Sequence, residues 1–261
     1  MKSAGRVFEL IEIFEQLRRP ATVAELVKAS GFPQSSTSML LDTLTRMGYL
    51  CWNPEERTYL PSLRLNMLGG WVHDIALPRS NLRLAMQELS RRTNLSVVLG
   101  QRVGRRVQYA YVVYAASDRA GDVPIGAVRP LTDTGLGYAL MAAMPHNEVR
   151  RIATACLAER GRPPNAGEVD RVMKMVSTVA QVGFAYSSRM QSAGKASFSF
   201  NLARAEGANP EFGMLGLALA GTDQAIERNL LDIIRAINGI AQEFLQDVQI
   251  GIDPNTPINS I

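Results

Sequence analysis

Cysteine is nearly absent: Cys51 and Cys156 stand far apart, and there is no C-x-x-C. Two isolated thiols build neither a disulfide framework nor a zinc site. Histidine is as scarce, with only His73 and His146. Neither lies in a nucleophile-elbow context, so a Ser-His-Asp centre has no support. No stretch reaches the about 18 apolar residues that span a bilayer. The opening segment MKSAGRVFELIEIFEQL carries five charges, unlike the apolar centre of a secretory signal. A cytoplasmic location follows as the expectation. Phosphate-binding loops are missing too. Around Ala193-Gly194-Lys195-Ala196 the earlier glycine position is Arg189, and alanine follows the lysine. Gly135-Leu136-Gly137 lacks the third glycine of a dinucleotide site. No acidic pair has metal-ligand spacing. No enzyme activity, metal or cofactor is therefore expected.

What is present is enough chain for two domains: 261 residues, 46% hydrophobic and 20% charged. The net charge of +4 is unevenly spread. Residues 1–78 carry 8 basic and 8 acidic groups, 79–130 carry 9 and 3, and 131–261 carry 11 and 13. The basic excess lies outside the first 78 residues, so charge alone does not mark a nucleic-acid surface there.

Pattern does mark one. Val7, Phe8, Leu10, Ile11, Phe14 and Leu17 recur at helical spacing and predict a helix that stops before Pro20. Thr22 and Glu25 have capping-box spacing, and Val23, Leu26 and Val27 form the stripe of a second helix. Gly31 suits a tight turn, and Pro33 suits the first turn of a third helix with Leu40, Leu41, Leu44 and Met47 as its apolar positions. The leading end of that helix, Gln34-Ser35-Ser36-Thr37-Ser38, is dense in short polar groups. Helix, Gly turn and helix with a polar leading end is the helix-turn-helix layout, whose second helix must offer donors and acceptors to base edges. Tyr49–Trp52 and Thr58–Leu60 flank Asn53-Pro54-Glu55-Glu56-Arg57 and predict a hairpin, the wing.

Residues 3–68, notably ATVAELVKASGFPQSSTSMLLDTLTRMGYL and RTYLPSLR, closely resemble the DNA-binding domain of IclR-type (isocitrate-lyase-regulator-like) transcription regulators. The resemblance implies Gln34, Ser35, Ser36 and Ser38 as base-facing residues, and Arg6 and Arg57 as flanking phosphate or minor-groove contacts. Gln34 has amide geometry suited to adenine.

Arg64–Leu77 carries a helix-like stripe with Trp71, interrupted at Gly69-Gly70, and reads as a linker helix. Beyond Pro78 a helix ends near Asn94. Strand-like runs follow at 95–103, 107–115, 123–128, 183–189, 196–202 and 212–220, with helices at 138–143, 147–159, 166–182 and 224–248. Six strands with helices on the faces make an α+β domain. In order and spacing it resembles the GAF-like effector-binding domain of the same family. The expected organisation is a winged helix-turn-helix at 1–63, a linker helix at 64–78, an effector-binding and oligomerising domain at 79–248 and a tail without fixed structure at 249–261.

The resemblance places the effector site at Thr132, Thr134, Gly135, Tyr138, Ser187, Arg189, Ser197, Ala218 and Ala220. Several positions depart from the family pattern. Tyr138 replaces a lysine, Ser187-Ser188-Arg189 stands where acidic residues are usual, Ser197 stands near a usual cysteine, and Ala218 and Ala220 replace serines. Fewer acceptors, more apolar surface and one cation point to a hydrophobic, aromatic carboxylate, with Arg189 pairing its acid group. The implied partners are double-stranded operator DNA, a small-molecule effector and further copies of the chain, as a dimer or dimer of dimers. A small-molecule sensor without operator binding is the competing reading.

Overall fold

The computed structural model describes residues 2–68, 81–116, 123–188, 194–204, 214–245, 248–250 and 252. The chain divides into two compact units, Met1–Asp74 and Ile75–Ile261. The linker-helix expectation beyond residue 68 and most of the tail expectation lie outside the described residues.

The first unit runs α1 (Lys2–Leu17), β1 (Ala21–Thr22), α2 (Val23–Ser30), α3 (Gln34–Arg46), β2 (Leu50–Asn53), β3 (Thr58–Pro61) and α4 (Leu63–Met67). Capping decides its boundaries. The Glu25 amide donates to Thr22 Oγ1 at 3.3 Å, and the Thr22 amide donates to the Glu25 carboxylate at 2.8 Å, which closes the capping box of α2. Gly31 ends that helix at φ +69°, a left-handed conformation that glycine adopts without penalty. Leu10, Phe14, Leu26, Leu41, Leu44 and Leu50 form the core. The wing hairpin forms as expected and gains a third strand, in the order β1-β3-β2. Two apolar assignments fail. Phe8 and Met47 are 67% and 53% exposed: Phe8 falls on the outward side of α1 once the buried residues set the angle, and Met47 caps the end of α3, beyond its last helical residue Arg46.

The second unit opens with α5 (Leu82–Thr93), followed by β4 (Ser96–Val103), β5 (Arg106–Val113) and β6 (Val128–Pro130). A 3-10 turn at Leu131–Asp133 leads into α6 (Gly135–Met141), α7 (His146–Ala158) and α8 (Ala166–Val182). Then come β7 (Ala185–Ser188), β8 (Lys195–Arg204), β9 (Leu215–Thr222), α9 (Asp223–Arg228), α10 (Leu230–Phe244) and β10 (Val248–Gln249). Seven strands form one antiparallel sheet in the order β10-β8-β9-β4-β5-β6, with β7 also on β8.

The sheet buries both faces, as its alternation requires. Val97, Phe198, Phe200, Leu217 and Leu219 cluster with α5 and α10, while Val98, Val112 and Ala218 cluster with α6, α7 and α8. Two expectations need correction. The run 123–128 is turn rather than strand, because Gly126 takes φ +78° and strand pairing starts only at Val128. The last helix is not continuous over 224–248. It breaks at Asn229 (φ −115°, ψ +17°), whose side-chain amide donates to the Ala225 carbonyl, and it ends at Phe244.

Candidate nucleic-acid interface and effector site

The orientation of α3 follows from what it buries. Thr37, Leu41 and Leu44 face the core. At 100° per residue the opposite side is the row Ser35, Met39, Asp42, Arg46. Gln34 and Ser35 are exposed, while Ser36 and Ser38 are half-buried at the flanks of that row. None of these four side chains bonds to another described residue. The helix start at Pro33 has no side-chain cap, so the serines are not engaged in capping. Their hydroxyls and the Gln34 amide remain available to an outside partner.

The turn before α3 is braced by Arg6, whose guanidinium lies 5.0 Å from the centre of the Phe32 ring. Arg6 is half-buried, so it links α1 to the start of α3 as much as it offers charge. Arg57 occupies the wing turn, exposed, with φ +54°. Sequence reasoning weighted the polar leading turn and passed over Met39, Asp42 and Arg46. The helical period, applied from the buried leucines, identifies them.

In the second unit the expected effector residues fall into two groups. One is brought together on the sheet face beneath α6. Cross-strand pairing sets Ser187, Ser197, Ala220 and Ser96 in one row, and Ala185, Ser199, Ala218 and Val98 in the next. Gly135 presses onto these rows: a methyl placed on it would lie 3.1 Å from Ser199 Oγ and 3.2 Å from both Ser197 Oγ and Ser187 Cβ. Ser187 Oγ and Ser197 Oγ are 3.4 Å apart. Ser199, overlooked in the sequence, is fully buried, and its hydroxyl has no hydrogen-bond partner among the described residues. Strand alternation was the available signal, since Ser197 and Ser199 share a face.

The second group is engaged locally. Thr134 Oγ1 caps α6 by accepting from the Gly137 amide at 2.9 Å, and Thr132 Oγ1 donates to Asp133 at 3.0 Å. Asp133 in turn pairs with Arg160 at 2.7 Å, a contact that the sequence did not reveal. Both threonines are buried. Tyr138 is half-buried, and burial first, then the Asp133 charge, raise its phenol above the usual range. It therefore keeps its proton, and with it a donor. Arg189 lies outside the described residues. Burial likewise raises the Cys156 thiol, so it is not a reactive thiolate. Among the described residues no group of three His, Cys, Asp or Glu side chains is placed to hold a metal ion, and no helix is long and apolar enough to cross a membrane.

Comparison with known proteins agrees with both halves. Residues 3–54 match the model of the IclR helix-turn-helix domain, and residues 73–204 match that of the bacterial transcriptional regulator IclR C-terminal domain. The transcriptional regulator XynR of Escherichia coli K12 is 23% identical over 188 residues, covering 72% of this chain and 75% of its own. The Thermotoga maritima IclR crystal structure superposes with a TM-score of 0.59 at 17% identity, covering 94% of this chain and 98% of that one. An IclR homologue from Microbacterium hydrocarbonoxydans, solved in complex with 4-hydroxybenzoate, gives a TM-score of 0.56 at 16% identity, covering 92% and 98%. With a helix-turn-helix whose polar leading turn is open to solvent, an α+β second domain and family matches across both, the chain belongs to the IclR family of transcriptional regulators.

Proposed function

We propose that this regulator grips a pseudo-palindromic operator with paired copies of α3 and answers to a hydrophobic, aromatic carboxylate in its second domain. The observation that carries the DNA reading is the exposed leading turn of α3, where Gln34 and Ser35 face solvent with no protein partner among the described residues. Gln34, Ser35, Ser36 and Ser38 address base edges, and Arg6 and Arg57 address the backbone or minor groove. The first 78 residues are neutral overall, so one copy binds DNA weakly and two copies on successive grooves, about 34 Å apart, supply affinity and register. This requires a dimer or a dimer of dimers. The working division is a DNA-binding part at 1–63, a linker at 64–78 and an effector and oligomerisation part at 79–248.

The effector part of the reading is supported by the hydroxyls of Ser187, Ser197 and Ser199 near Gly135, in register with Ala218 and Ala220. The fold-mate that binds 4-hydroxybenzoate supports the aromatic acid class. Arg189 is assigned to the carboxylate. Ligand shifts the pair of wing domains only by its differential affinity for two arrangements.

A gel shift against DNA upstream of the protein's own gene tests the first half. A complex at low salt is expected, weakened in a Gln34→Ala, Ser35→Ala double variant. No complex, with or without 4-hydroxybenzoate, would leave a sensor without operator activity. Calorimetry with a panel of aromatic acids, wild type against Arg189→Ala, tests the second half. Equal heats in both would remove Arg189 from the site.

A further inference from the structure

The outward row of α3 holds one side chain unlike its neighbours. Met39 is 65% exposed, between Ser35 and Asp42, on the side directly opposite Leu41 and Leu44. A single exposed methionine is ordinary on a protein surface. Its place is not ordinary, because it occupies the middle of the face that a helix-turn-helix inserts into the major groove. A major groove offers donors, acceptors and one apolar group, the 5-methyl of thymine.

The neighbours leave this contact to Met39. Asp42 and Arg46 pair with each other at 3.2 Å. The Thr43 hydroxyl donates to the Met39 carbonyl at 2.8 Å and is held against the helix. Methionine also has the reach and flexibility to follow a methyl group in the groove.

We propose that Met39 is a specificity-determining residue that reads a thymine methyl in each half-site of the operator. The proposal rests on the DNA-binding reading above and adds to it a base preference that no hydrogen-bonding residue supplies. It separates thymine from cytosine at that position, since cytosine lacks the methyl.

The test uses the full-length protein and a duplex enriched from a random pool by the wild type. Each thymine of that duplex is replaced in turn by deoxyuracil, which removes only the methyl, and affinity is read by fluorescence anisotropy at one fixed salt concentration. At one thymine per half-site the wild type is expected to weaken about fourfold, equivalent to the ~0.8 kcal/mol of one buried methyl. Met39→Ala, a change at an exposed position that leaves folding intact, is expected to bind the thymine and uracil duplexes equally. A wild type indifferent to uracil everywhere, or equal losses in both proteins, overturns the assignment alone. Failure to enrich any duplex overturns the DNA-binding reading and this proposal with it.

Discussion

Asp42 and Arg46 pair at 3.2 Å one turn apart on the outward face of α3, with both side chains well exposed. The pair places a carboxylate on the surface proposed to meet DNA, and its neutralising partner beside it. An exposed pair of this kind is worth only about 0.2–1 kcal/mol to the fold. Its effect is therefore expected in the proposed DNA binding rather than in the fold.

Asp42→Asn is expected to tighten DNA binding about three- to tenfold at low salt, since one anion per protomer disappears and Arg46 is released toward phosphate. The slope of log affinity against log salt should steepen by about one per protomer. Arg46→Ala should act in the opposite direction. Anisotropy titrations over a salt series read both, and unchanged slopes in Asp42→Asn would separate this pair from the interface.

The capping box of α2 gives a pH-dependent prediction. Glu25 is held down to about 2, first by the hydrogen bond from Arg19 and then by the Thr22 amide and hydroxyl. A carboxylate whose folded value is depressed contributes stability above its ordinary value, and that stability is lost as pH falls from about 4.5 toward 2. Carboxyl NMR should show the Glu25 midpoint near 2, rising toward the ordinary range in Arg19→Ala. Independently, Thr22→Ala removes the cap and should cost about 1 kcal/mol in chemical denaturation of the first unit.

Substitution of Ser199 is expected to have opposite effects on stability and on the proposed ligand binding. A buried hydroxyl without a partner costs about 1–3 kcal/mol. Ser199→Ala is thus expected to raise the melting temperature of the ligand-free protein and to weaken binding of 4-hydroxybenzoate, as read by calorimetry. A variant that melts lower and binds as before would place Ser199 outside the site.

Gly137→Ala tests how closely α6 sits on its neighbours. A methyl there would run into the backbone carbonyl of Leu131, which cannot move aside as a side-chain tip can. A loss of about 3 kcal/mol in denaturant unfolding is expected. Gly135→Ala meets only side-chain atoms at 3.1–3.2 Å and should be far milder for folding, while it crowds the serines.

Sequence carried far where local chemistry decides structure. Helices α2 and α8 are both bounded by a capping box and a left-handed glycine, so their limits were legible. It failed where tertiary context outweighs composition. The β-prone residues of 123–128 are overruled by Gly126 in its turn, and the final helix breaks at Asn229, whose backbone leaves the helical region. In the candidate sites the polar residues stood out by type. Met39 did not, since an apolar side chain in a helix ordinarily faces inward and only the buried partners of α3 reveal its direction. Ser199 was hidden by the same limit: its face was readable from alternation, but its lack of a partner among the described residues was not.

The two glycines of α6 have a mechanical consequence. The helix backbone lies close against Leu131 at Gly137 and against the strand serines at Gly135, which leaves little space between them for a newcomer. A molecule bound at the proposed site against Gly135 is therefore expected to push residues 131–141 sideways together, turning occupancy into displacement rather than local softening.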